Sequence, residues 1–90
     1  MKFKNDIHDL RKDIDIIDEK IFDLLVKRFS ISDRIGKLKL LKRVDIDDPS
    51  REKQIIDRID SKMRGRITRS EIIAILGPIF SVSKKKQKNK

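Results

Sequence analysis

The sequence predicts an all-α fold of three helices, one very long and two shorter, assembled with a second copy of itself. Three observations carry that prediction. Apolar residues recur in steps of three and four from Ile7 to Leu38, with no proline among them. Two helix-start signals follow, at Asp47-Asp48-Pro49 and at Thr68-x-x-Glu71. The chain has 90 residues, 43% charged and 37% hydrophobic, which allows one domain with too little apolar surface for a thick core of its own. Chains this short and polar gain core by pairing.

The first helix is read over residues 3 to 41, where Gly36 is the only glycine. Ile7, Leu10, Ile14, Ile17, Ile21, Leu24, Ile31, Ile35 and Leu38 form a heptad seam with one missing member, and that member is Arg28. A helix of about 38 residues is ~57 Å long and cannot bury its stripe within one small chain. Arg43 to Pro49 breaks the pattern and reads as a loop. Asp47 or Asp48 caps the second helix, Pro49 fits its first turn, and Gly65 terminates it near Met63 or Arg64. Thr68 and Glu71 form a capping box before the third apolar run, Ile72 to Phe80, in which Gly77-Pro78 is expected to kink the helix. The domain is read as residues 1–83, continuing to about 87, with 88–90 a basic disordered tail.

Composition excludes whole classes of chemistry. With no cysteine, there are no disulfides, cysteine-zinc sites or thiol catalysis. A single histidine, His8, rules out a histidine-cluster metal site and makes a Ser-His-Asp triad a poor fit. No apolar run reaches the ~20 residues of a membrane span, and the first residues lack a signal-peptide pattern. The chain is therefore expected to be cytoplasmic. The net charge of +9 is uneven: residues 1–61 hold 15 Lys+Arg against 14 Asp+Glu, and residues 62–90 hold 9 against Glu71 alone. Such a basic end either grips nucleic acid or is a solvated, frayed terminus.

Arg28 stands where an aliphatic residue belongs, so it either specifies register or faces something anionic beside the seam. Arg11 and Lys39 end a neighbouring stripe at positions 11, 18, 25, 32 and 39. Arg28 and Lys39 lie ~16 Å apart along the axis and could flank one small ligand. Arg11 is ~42 Å from Lys39, so if all three serve one site Arg11 comes from an antiparallel partner. Asp48, Arg51 and Glu52 cluster at the start of the second helix, where they are ordinary capping groups or part of a site. Ser83 and Gln87 share one face of the third helix at i, i+4.

In this order, these residues resemble the all-helical (AroQ-type) chorismate mutase family. The matching stretches run from Leu10 to Arg28 (LRKDIDIIDEKIFDLLVKR), Ile35 to Lys39 (IGKLK), Asp47 to Glu52 (DDPSRE) and Ser83 to Gln87 (SKKKQ). The resemblance implies an intertwined homodimer with antiparallel first helices, each site borrowing Arg11 from the other subunit. It implies the Claisen rearrangement of chorismate to prephenate, with no metal or cofactor. By the same resemblance Arg28 and the borrowed Arg11 would hold the two substrate carboxylates, with Ser83 assisting. Lys39 and Gln87 would donate to the ether oxygen, and Glu52 and the Asp48 backbone would bind the ring hydroxyl. Arg51 would support the site electrostatically and Ile35 would form an apolar wall. Lys84, Lys85 and Lys86 would add positive potential beside it.

Three alternatives compete. An isochorismate-pyruvate lyase on the same fold would use the same cations, but the acidic pair Asp48 and Glu52 favours the mutase. A basic helical dimer that binds nucleic acid is suggested by the charged end, although no basic recognition helix or stacking aromatic accompanies it. A mutase-like regulatory domain without turnover is opposed by the complete set of polar positions.

Overall fold

The computed structural model describes residues 6–88. Every regular element among them is helical: α1 (Ile7–Lys42), α2 (Pro49–Met63) and α3 (Arg69–Lys88). Residues 3–5, read from the seam as part of the first helix, lie outside the described residues, as do 89 and 90 of the expected tail. Lys88, the first residue of that tail, is the last residue of α3.

α1 begins where Asp6 accepts the His8 N–H at 3.0 Å, a cap that the apolar seam alone does not reveal. Its 36 residues make a rod of ~54 Å in a molecule measuring 61 × 28 × 16 Å. It ends at Arg43, whose left-handed φ of 56° lets the Val44 N–H reach the Lys39 carbonyl at 2.9 Å. A non-glycine residue in that conformation costs roughly 1–2 kcal/mol, offset here by the carbonyls it satisfies.

α2 starts as its sequence dictates: the Asp48 carboxylate accepts the Arg51 N–H at 3.1 Å and Pro49 occupies the first turn. It ends in two consecutive left-handed residues, Arg64 (φ 52°) and Gly65 (φ 80°), so the turn begins one residue before the glycine. α3 opens with a reciprocal capping box. The Thr68 N–H donates to Glu71 Oε1 at 2.9 Å and the Glu71 N–H to Thr68 Oγ1 at 3.1 Å. Pro78 lies inside α3 and deprives the Ala74 carbonyl of its usual donor. The helix nevertheless continues as one element of 20 residues, and Ser83 and Gln87 both reach the α1 side.

The core joins α2 to α3, with Ile55, Ile72, Leu76 and Phe80 buried and Ile56, Ile59, Met63, Ile67 and Ile79 packed around them. At its edge Arg69 bridges Asp57 (2.6 Å) and Asp60 (3.1 Å). α3 packs on both other helices, whereas α1 and α2 make no close backbone approach to each other. The α1 face under α3 is not the aliphatic seam but the adjoining row of small residues, where Ser32 and Gly36 are buried. A Cβ built on Gly36 would fall 2.5 Å from Gln87 Cα, so glycine is what permits this approach. The aliphatic seam is uncovered along its whole length: its members from Ile7 to Leu38 are 41–66% exposed.

Candidate active site

The three helices enclose a cavity of about 410 Å³, within the usual range for a small-molecule site. α1 supplies Arg28, Ile31, Ser32, Ile35 and Lys39. The α1–α2 connection and α2 supply Ile46, Asp48, Arg51, Glu52 and Ile55. α3 closes it with Phe80, Ser83, Lys84 and Gln87.

Eight of the nine residues singled out in the sequence therefore line one cavity: Arg28, Ile35, Lys39, Asp48, Arg51, Glu52, Ser83 and Gln87. The ninth, Arg11, does not. It is exposed on the N-terminal half of α1, ~26 Å along the axis from Arg28.

Most of the polar groups are held by specific contacts. The Arg28 guanidinium donates to the buried Ser83 hydroxyl and stacks over the Phe80 ring, 5.7 Å from its centre. Burial, and then the nearby Arg51 charge, push Arg28 below its ordinary pKa. It remains a cation at neutral pH, but one that an incoming anion stabilises. Lys39 donates to the Ile46 carbonyl at 3.2 Å, which ties the loop to α1 and leaves two of its three N–H groups for a ligand. Gln87 Oε1 is buried with no hydrogen-bond partner among the described residues. An orphaned buried acceptor costs about 1–3 kcal/mol, so this amide suits a ligand better than a core.

The Asp48 carboxylate is engaged in capping and its carbonyl accepts the Glu52 N–H at 3.1 Å. Lys84 bridges Asp47 at 2.6 Å and Glu52 at 3.0 Å. Its hydrogen bond holds the Asp47 carboxyl below the usual carboxylate range. Four cations and two carboxylates line the cavity, a surplus of two positive charges.

Sequence reasoning does not distinguish several of these participants. Lys84 reads as one of three equivalent lysines, yet it alone lines the cavity, while Lys85 and Lys86 face solvent. Phe80 reads as core, and is both core and platform for Arg28. Gly36 carries a usable signal, because a lone glycine inside a long helix costs about 1 kcal/mol relative to alanine and so calls for a packing reason.

Fold and cavity together define an all-helical chain with a small-molecule-sized cavity of net positive lining. Comparison with known proteins carries this further, since the chain belongs to the chorismate mutase type II family, which matches it over residues 10–88. It is 43% identical over 51 residues to a chorismate mutase of Methanocaldococcus jannaschii, covering 57% of this chain and 52% of that protein. It is 41% identical over 54 residues to a bifunctional chorismate mutase/prephenate dehydratase of Aquifex aeolicus, covering 60% of this chain and 15% of that one. The matched region is thus about half of the first relative and a small part of the second. No solved structure is significantly similar to the chain.

Proposed function

We propose that this chain is a chorismate mutase, converting chorismate to prephenate in aromatic amino acid (Phe/Tyr) biosynthesis, and that it works as a cytoplasmic homodimer. The observation that carries the reading is the cavity itself, in which residues from all three helices converge with a surplus of two positive charges. Chorismate is a dicarboxylate, so the balance of charge matches.

The reaction is a concerted rearrangement within one molecule. The ether C–O bond breaks as a C–C bond forms, and negative charge grows on the departing oxygen. No nucleophile is needed; the catalyst must hold the reactive conformer and stabilise that charge. Arg28, fixed by Ser83 and Phe80, holds one carboxylate, and Arg11 of the partner subunit holds the other. Lys39 and Gln87 donate to the ether oxygen. For Gln87 this requires the amide to turn so that Nε2 faces the substrate, an orientation within its ordinary freedom. Glu52 and the Asp48 backbone receive the ring hydroxyl, Arg51 adds positive potential, and Ile35 forms part of the apolar wall.

The test is the loss of chorismate's diene absorbance with purified protein, followed by acid conversion of prephenate to phenylpyruvate. Saturable loss with matching phenylpyruvate is expected. Lys39→Ala should lower kcat about 10²–10³-fold, equivalent to ~3–4 kcal/mol, as for a lost oxyanion donor. A folded helical sample that consumes chorismate no faster than buffer overturns the assignment. Salicylate from isochorismate, with chorismate untouched, would make it a lyase instead.

A further inference from the structure

We propose that Lys84 is a positioning residue for this site: it clasps Glu52 in place and fastens the α1–α2 connection to α3. The inference rests on the mutase reading for its effect on turnover, but the clasp itself is a property of the fold.

α1 and α2 make no close backbone approach, so nothing along their axes fixes one against the other. The connection between them, Arg43 to Asp48, nevertheless brings Ile46 and Asp48 to the cavity. Two side-chain contacts tie it down. Lys39 holds the Ile46 carbonyl from the α1 side. Lys84 holds Asp47 from the α3 side and reaches Glu52, one turn into α2, with the same ammonium. A lysine suits this role because its compact charge donates to two carboxylates from different directions, where a planar guanidinium would favour one bidentate partner.

The two arms of the clasp differ in weight. Asp47 is 68% exposed, so water and salt screen that arm strongly. Glu52 is 28% exposed and lines the cavity, so that arm is screened less and decides where a carboxylate oxygen points. Placement on α3 makes the coupling direct. Ser83, adjacent in sequence, fixes Arg28, and Gln87, three residues on, packs against Gly36. One turn of α3 therefore positions groups contributed by α1 and α2 together.

The neutralising effect matters as much as the geometry. Without Lys84 the cavity would carry three cations against two carboxylates, and Glu52 would repel a dianion that its own hydroxyl contact is meant to receive. The clasp thus lets an acidic hydroxyl acceptor sit in a site for a dicarboxylate.

The experiment compares the intact protein with Lys84→Ala, Lys84→Arg, Glu52→Gln and Lys84→Ala/Glu52→Gln, reading kcat and KM for chorismate and amide hydrogen exchange in residues 44–48. Lys84→Ala is expected to raise KM about tenfold, at the mild end of what a misplaced site group costs, with kcat changed less than about twofold. Exchange in residues 44–48 should rise at unchanged helicity, and Lys84→Arg, which keeps the charge but not the two-way donation, should restore the KM only in part. In the Glu52→Gln background the further loss on removing Lys84 should shrink to less than about twofold, because the two act as one unit. Unchanged KM and unchanged exchange in Lys84→Ala overturn the proposal, as does an equal loss in both backgrounds. If the unaltered protein does not turn over chorismate, the mutase reading fails. The exchange data then still decide whether the clasp exists.

Discussion

Gly36 is the point at which α1 gives up a side chain so that α3 can lie against it. Two effects oppose each other in a Gly36→Ala variant. Helix propensity favours alanine by about 1 kcal/mol. Against that, the new Cβ meets the Gln87 backbone, which cannot swing aside like a flexible side chain. Overpacking of this kind costs typically ~1–3 kcal/mol, so the clash wins and chemical denaturation should show a net loss of stability. Activity should fall with it, since Gln87 and Ser83 move away from Lys39 and Arg28. A variant more stable than the parent would mean that the two helices separate freely. At this scale the sequence is legible where a residue breaks a pattern. Arg28 interrupts a seam of aliphatics, and Lys39 ends a stripe shared with Arg11. Lys84 breaks no pattern among its neighbouring lysines, because its role arises only when α3 meets the loop before α2.

The elements themselves are more readable, because helix ends depend on neighbours in sequence. The Asp48-Pro49 start and the Thr68–Glu71 box both form as their spacing requires. The left-handed stop at Arg43 was invisible, since arginine has no preference for that conformation and adopts it to satisfy carbonyls at the end of α1. The α2–α3 corner also predicts a response to acid. Hydrogen bonds from Lys53 and Arg69 hold the Asp57 carboxyl below its ordinary range, and the Thr68 cap does the same for Glu71. A lowered folded-state pKa contributes stability that is present above the ordinary carboxylate value, near 4, and is lost as pH falls through the depressed value. Thermal melts should therefore slip progressively below about pH 4. Asp57→Asn should lower the melting temperature at neutral pH and flatten this acid slope. An unaltered slope would remove Asp57 from the account.

Across the whole molecule, the fold leaves the aliphatic seam of α1 uncovered from Ile7 to Leu38, with α2 and α3 gathered beside its C-terminal half. Aliphatic residues repeating every seven positions over several turns call for a cover of the same length, and an antiparallel copy of α1 would supply one. That arrangement would carry Arg11 to the partner's cavity. It makes a prediction that no single-chain site can satisfy. Arg11→Ala and Arg28→Ala proteins should each be nearly inactive. Mixed and allowed to exchange subunits, they should recover about one quarter of the parental sites, because each mixed pair rebuilds one site and ruins the other. No recovery, with exchange shown by mass, would place Arg11 outside the site. Helix length alone already raises the expectation of a partner. The face of α1 covered by α3 is not legible, because close packing follows small residues such as Ser32 and Gly36 rather than the aliphatic stripe.

The position of α3 between the other two helices also sets an order of assembly. Contacts between α2 and α3 join stretches close in sequence, whereas the bond from Arg28 to Ser83 closes a span of 55 residues. Chain entropy penalises the longer closure more, so the α2–α3 hairpin condenses before α1 docks. The cavity exists only after that second event. Closure of the cavity therefore waits on the docking of α1 against α3.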